Sequence, residues 1–255
     1  MADAELLRNA VREAGALARS YFQQSVKGWT KSDGSPVTEA DLAVDEALKA
    51  RLTEARPDYG WLSEETPDTD ERLGHREVWI VDPIDGTRAF AHGGDEWCVA
   101  AALLVDGRPA LAAIYRPMTD DLYEARHGAG ARLNGKPLRM ADGQGLAGAR
   151  ILANAAALAT LAAKAPVEAV GSGSTPLAMR LARVAQGDLD AALSTAPKHD
   201  WDLAAGDLLV HEAGGTVTGL DGKRFTYNRR ETRQANYVAS SHALHAALLE
   251  QLSQS

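Results

Sequence analysis

In the stretch Val78-Trp79-Ile80-Val81-Asp82-Pro83-Ile84-Asp85-Gly86-Thr87 an apolar run gives way to two carboxylates set on either side of a proline. The run reads as a buried strand, and the Asp-Pro-x-Asp-Gly segment reads as its abrupt end. Pro83 has a fixed φ and holds Val81-Asp82 extended, so Asp82 and Asp85 are expected on a stiff turn with carbonyl oxygens facing outward. Carboxylates and carbonyls are hard oxygen donors, which suits Mg²⁺ and its ligand distances of about 2.0–2.1 Å. Taken alone, the same residues describe a solvated acidic turn equally well.

Acids recur at comparable places. Trp61-Leu62-Ser63-Glu64-Glu65-Thr66 is a short strand pattern ending on adjacent glutamates. Neighbouring strand side chains point to opposite faces, so only one of the two can aim straight into a given site. In Val37-Thr38-Glu39-Ala40-Asp41 a helix begins with Thr38 as its N-cap, and Asp41 complements the dipole of the first turn. Trp201-Asp202-Leu203-Ala204-Ala205-Gly206 opens another helix, and Asp202 sits where a capping aspartate is favoured. Each acid therefore ends a strand or begins a helix, which is where open α/β architectures bind ligands.

The elements that must position these acids follow from periodicity. Leu6, Leu7, Ala10, Val11, Ala14, Leu17, Ala18, Tyr21 and Phe22 keep helical spacing from Asp3 to about Val26. Lys27 to Pro36 reads as a loop carrying Lys31, and a second helix runs to about Ala55. Trp97 to Val105, Ala110 to Tyr115 and Asp121 to Ala125 predict an antiparallel meander turning at Asp106-Gly107 and at Pro117 to Asp120. Beyond it strands and helices alternate: strand near Ile151, helix Ala156 to Lys164, strand Val167 to Val170, helix Pro176 to Gln186 and strand Leu189 to Leu193. The helix at Trp201 stops at Gly214-Gly215. Strands at Thr216 to Val217 and Tyr237 to Ala239 and a helix Ala243 to Leu252 complete the chain, with His242 and His245 expected on its surface. The division is into residues 1–145, an α+β half with most of the acids, and residues 146–255, an α/β half supplying Asp202. Gly143-Gln144-Gly145-Leu146-Ala147-Gly148 satisfies Gly-x-Gly-x-x-Gly, but it follows a loop and leads into a strand, the reverse of a dinucleotide fingerprint.

A chain of 255 residues with a net charge of −8 can bury a sizeable core and is ill suited to a nucleic-acid polymer or an anionic membrane surface. The single cysteine, Cys98, excludes an intramolecular disulfide. The N-terminus lacks the basic and apolar regions of a signal peptide, and no apolar run is long enough to span a bilayer, so a cytoplasmic location is expected. No Gly-x-Ser-x-Gly elbow is present, and carboxylates with a threonine suit a metal-activated water, which requires no side-chain nucleophile.

Together, the Trp61–Thr66, Trp79–Thr87 and Trp201–Gly206 stretches, closed by Glu212-Ala213-Gly214-Gly215, resemble the inositol monophosphatase family in order and spacing. The Lys31 to Asp41 segment is similar to that family's Lys…Val-Thr-x-x-Asp element, so the resemblance extends from about Glu5 to Leu252. It implies a layered αβαβα sandwich and Mg²⁺-dependent hydrolysis of small phosphate monoesters, usually by a homodimer. It also implies that Glu64, Asp82 and the Ile84 carbonyl hold one metal, that Asp82, Asp85 and Asp202 hold a second, and that a third uses Glu64 again. Thr87, bonded to Asp41, would join Glu64 in orienting the attacking water. The Gly86 and Thr87 N–H groups would receive the phosphate, and Asp85, Thr175, Thr195 and Lys31 would meet the rest of the substrate. Two departures bear on that substrate. Thr195 stands where inositol-specific members carry an acid against the ring, and Asp200 stands where they often have cysteine. Inositol monophosphate is the expected substrate. The alternatives are 3′-phosphoadenosine 5′-phosphate, histidinol phosphate, or a non-enzymatic binding protein on the same fold.

Overall fold

The computed structural model describes residues 2–22, 24, 26–31, 34–140, 145–170 and 175–253. Helices α1 (Asp3–Phe22) and α2 (Glu39–Ala55) carry the expected apolar stripes, and strands β1 (Gly28–Thr30) and β2 (Pro36–Thr38) lie between them as an antiparallel pair. Strand β3 (Gly60–Ser63) is followed by a 3-10 turn at Asp70–Gly74, strand β4 (Glu77–Asp85) and the short helix α3 (Thr87–Ala91). Next come β5 (Cys98–Val105), β6 (Arg108–Arg116), β7 (Asp121–Arg126), β8 (Gly130–Leu133) and β9 (Lys136–Leu138). Strands β3 to β9 form a seven-stranded sheet in sequential order. Only β3 and β4 are parallel in it.

The rest of the chain builds a second layer pair: β10 (Arg150–Ala153), α4 (Ala155–Ala162), β11 (Glu168–Ala169), α5 (Leu177–Gln186), β12 (Ala191–Ser194), β13 (Lys198–His199), α6 (Asp200–Glu212), β14 (Gly215–Thr218), β15 (Arg233–Gln234), β16 (Tyr237–Ser241) and α7 (His242–Ser253). Five of these strands make a mixed sheet in the order β11-β10-β12-β16-β14, and β13 pairs with β15 apart from it.

The alternation of β4 explains the layers. Its period of two sends Trp79 and Val81 to one face, where Leu6, Val11, Val44 and Leu48 of α1 and α2 cover them. Val78 and Ile80 go to the other face, against α5 and α6 through Leu181, Leu203 and Leu208. The second sheet lies beyond α5 and α6. Its outer face is closed by α4 and α7, where Ile151, Leu193 and Val238 pack on Leu161, Leu244 and Leu248. The order is helix, sheet, helix, sheet, helix, as expected. A fully buried leucine such as Leu6, Leu48 or Leu52 contributes about 1.5–3 kcal/mol to these seams. At the central seam a Cβ on Gly206 would lie 2.4 Å from Leu181 Cδ1, so the glycine closing the Trp-Asp motif lets α6 sit against α5.

Several expectations are corrected. Helix α1 ends at Phe22 and not near Val26. The segment read as a plain loop contains the β1–β2 pair, with Lys31 N–H bonded to the Ser35 carbonyl at 2.8 Å. Ser32 and Asp33 lie outside the described residues, as do Gly143 and Gln144 of the glycine-rich segment. Strand β4 does not stop at Asp82 but continues to Asp85, with a shift of register between the two. Pro83 has no N–H to give the ladder, so the strand bulges there and resumes. The meander gains β8 and β9. His245 is buried, 6 % exposed, because Thr218 Oγ1 and Ser240 Oγ meet its two ring nitrogens at 2.8 and 3.1 Å; His242 is exposed.

Candidate active site

Parallel pairing brings the C-terminal ends of β3 and β4 to the same edge of the large sheet, with Ser63 opposite Val81. Glu64 leaves that edge with its N–H on the Val81 carbonyl at 3.2 Å, beside Asp82. Asp85 pairs with Cys98 after the bulge. Its Oδ2 accepts the N–H of Ala178 at 2.6 Å, so a first-half carboxylate closes the N-terminus of α5. Gly86 then takes a left-handed conformation, φ +104°, and starts α3 at Thr87. Asp202 arrives from the second half. It is the third residue of α6, not its cap, and its Oδ2 accepts the His199 N–H at 2.8 Å in a capping box.

The electrostatics of this corner are those of crowded carboxylates. Burial is the main cause that pushes the Asp82 carboxyl well above its ordinary range, and the neighbouring charges of Glu64, Asp85, Asp202 and Asp41 push the same way. Asp202 is raised to about 7 by burial and then by Asp85 and Glu64. Asp85 is raised by burial against the pull of the Ala178 and Leu177 amides, Arg180 and Lys198. Glu64 is likewise raised by burial, with Lys31 opposing. Glu65 reaches about 7, also through burial. Asp82 Oδ1 is buried without a hydrogen-bond partner. An unpartnered, buried oxygen among carboxylates that resist ionisation fits a hard divalent cation, which would supply the charge they lack. Among the described residues no three His, Cys, Asp or Glu side chains are drawn into a closed ion cage. One competitor is in view: Lys31 Nζ sits 3.1 Å from Glu64 Oε1 and 2.7 Å from Glu65 Oε1.

Behind the carboxylates, Asp41 joins three groups. Its Oδ2 accepts Thr38 N–H at 2.8 Å and Thr38 Oγ1 at 2.5 Å, and its Oδ1 accepts Thr87 Oγ1 at 2.9 Å. Thr87 Oγ1 also lies 3.0 Å from the Ile84 carbonyl. With its one proton on Asp41, that hydroxyl keeps lone pairs for a further donor.

The expected substrate contacts are less gathered. Lys31 is committed to the two glutamates. Thr175 is buried, and its carbonyl takes Arg180 Nε at 2.7 Å. Thr195 is exposed after β12, and its Oγ1 accepts Asn154 Nδ2 at 2.9 Å. Sequence reasoning missed Arg180, a cation 8 % exposed whose charge favours ionised Asp85. Its signal was an arginine set among the apolar positions of α5. Tyr237, fully buried and pushed to about 12 mainly by burial, lies beside it.

Five layers thus bring Glu64, Asp82 and Asp85 together with Asp202 from the first turn of α6 in one buried corner, a donor set suited to a divalent cation. A profile of the inositol monophosphatase family matches residues 3–255, and the chain belongs to that family of Mg²⁺-dependent phosphatases. It is 36 % identical over 233 residues to the 3′(2′),5′-bisphosphate nucleotidase CysQ of Aggregatibacter actinomycetemcomitans, covering 87 % of this chain and 86 % of that protein. It is 33 % identical over 247 residues to inositol monophosphatase 2 of Solanum lycopersicum, covering 89 % and 91 %. Its fold superposes on the extragenic suppressor protein SuhB of Bartonella henselae with a TM-score of 0.86 at 26 % identity, over 98 % of both chains. No described helix is long and apolar enough to cross a membrane.

Proposed function

We propose that this phosphatase hydrolyses inositol monophosphate or a similarly compact polyol phosphate, with two or three Mg²⁺ ions in the working site. The observation that carries the reading is Asp82, buried and short of a partner among carboxylates from both halves. Glu64, Asp82 and the Ile84 carbonyl would hold one ion and Asp82, Asp85 and Asp202 another. A third would return to Glu64. Mg²⁺ bound there lowers the pKa of a water and neutralises phosphate charge. The chain's own groups do the rest. Thr87, its proton held by Asp41, accepts from the attacking water together with Glu64 and so orients it. The N–H groups of Gly86 and Thr87, ahead of the first intrahelical bond of α3, receive the phosphate oxygens. Asp85 and Thr195 approach the alcohol, with Thr175 behind them and Lys31 free to turn toward substrate once an ion holds Glu64. Residues 1–145 and 146–255 act as the two halves of one site. A homodimer in the cytoplasm is the expected working unit, and light scattering tests the first point.

Lys198 supports a second reading, a 3′,5′-bisphosphate nucleotide. It precedes His199, whose N–H holds Asp202, and its charge acts on both Asp85 and Asp202, so a second phosphate would find a cation there. The test is kcat/KM for myo-inositol 1-phosphate, 3′-phosphoadenosine 5′-phosphate and histidinol phosphate at one Mg²⁺ concentration. A preference above about a hundredfold, about 2.7 kcal/mol in transition-state binding, for either of the latter two overturns the inositol assignment. Full phosphate release in excess chelator overturns the metal mechanism.

A further inference from the structure

Helix α2 carries a second buried carboxylate one turn beyond Asp41. Asp45, 6 % exposed, lies on the same face, since residues four apart are neighbours on a helix. It does not touch Thr87. Its Oδ1 accepts Ser63 Oγ at 2.5 Å and its Oδ2 accepts Thr66 Oγ1 at 2.5 Å. Ser63 and Thr66 are the residues on either side of Glu64-Glu65. The brace extends further: Trp61 Nε1 donates to Thr66 Oγ1 at 3.1 Å, and the Glu65 N–H reaches Ser63 Oγ at 3.4 Å.

We propose that Asp45 is a positioning residue for the candidate site, fixing the Glu64-Glu65 turn on α2 through the Ser63 and Thr66 hydroxyls. Asp41 and Asp45 then divide the work of one helix face, Asp41 holding Thr87 and Asp45 holding the turn that carries Glu64. The turn needs such a hold. It follows a strand of only four residues, and the Glu64 N–H bond to Val81, at 3.2 Å, is a long one. Bonds from hydroxyls to a carboxylate are short and charge-assisted, so two of them set the turn more tightly than the backbone alone. Groups that orient a metal ligand from behind typically affect metal affinity or activity by about 10–100-fold. The proposal rests on the reading of Glu64 as a metal ligand.

The test is Mg²⁺ affinity by titration calorimetry, with thermal unfolding recorded alongside. Asp45→Asn, Ser63→Ala and Thr66→Val are each expected to raise the Mg²⁺ Kd by about tenfold or more at a temperature well below every melting midpoint. Combining Asp45→Asn with Thr66→Val should add little to either, because both cut the same tether. Glu46→Gln, an exposed neighbour on α2, should leave the Kd unchanged. Ser63→Ala and Thr66→Val keep Asp45 in place, so the measurement stands even if Asp45→Asn does not fold. A lowered melting midpoint with wild-type Mg²⁺ affinity in these variants, while Glu64→Gln loses affinity, overturns this proposal and leaves the metal reading intact. Wild-type affinity in Glu64→Gln overturns the metal reading and this proposal with it.

Discussion

Replacing Gly86 by alanine sets two separable costs on one residue. The backbone there has φ +104°, where an L-residue costs about 1–2 kcal/mol. A Cβ would also lie 2.7 Å from the Glu96 carbonyl oxygen and 2.8 Å from Pro176 Cγ. Neither can swing aside as a flexible side chain would, and such overpacking costs about 1–3 kcal/mol. The sum is about 2–5 kcal/mol, or about 4–20 °C in melting temperature at about 2–4 °C per kcal/mol for a chain of this size. Gly214 provides the control. Its φ is +98°, but a Cβ there meets nothing within 4 Å, so Gly214→Ala should carry the backbone cost alone, about 2–8 °C. Any loss of unfolded-chain entropy is common to both and cancels. Circular dichroism melts of the two variants in chelator read the difference, and phosphate release should be lost only in Gly86→Ala, whose N–H would be displaced. Melting temperatures within about 2 °C of each other would refute the steric argument.

Three further outcomes are expected. Asp82→Asn should raise the melting temperature of the metal-free protein, because it removes a carboxyl whose ionisation is opposed by burial and by Glu64, Asp85 and Asp202, and should abolish phosphate release; a metal-free midpoint that falls while turnover persists would contradict both halves. Without Mg²⁺, Asp202 and Glu65 hold protons in the folded state up to about pH 7 that the unfolded chain releases near pH 4, so stability should fall as pH rises through that window and Mg²⁺ should remove the slope. Melts across that range with and without Mg²⁺ check it, and identical slopes would count against the carboxylate cluster. His245 acts in the opposite sense: burial lowers it from 6.5 to about 4, so the Mg²⁺-loaded protein should lose stability as pH drops between those values, and His245→Gln should flatten that loss in the same melts.

Much of this was legible from residues in a row. Val78 to Val81 alternates between two covered faces, which made a buried strand readable, and the Thr38 cap is local chemistry, as is the place of Asp202 in the first turn of α6, though as its third residue and not as its cap. Pairings between distant segments were not legible. Nothing near Lys31 in sequence announces Glu64 and Glu65, and nothing near Asp45 announces Ser63 and Thr66. The β1–β2 pair was hidden because each strand is three residues long in a segment rich in glycine and short polar side chains. His245 looked exposed because its burial depends on hydroxyls from β14 and β16, which no spacing on α7 could reveal.

Asp85 spends one oxygen on the first turn of α5. An ion at Asp85 would share that carboxylate with the Ala178 amide. The bond also ties β4 to α5 beside the buried carboxylates. Helix α5 cannot drift outward without baring the Ala178 amide, and Asp85 cannot turn away without uncapping the helix. Separation of β4 from α5 and fraying of α5 are thus one event, and the rate at which the Ala178 amide exchanges with deuterium is a direct gauge of how often this corner comes apart.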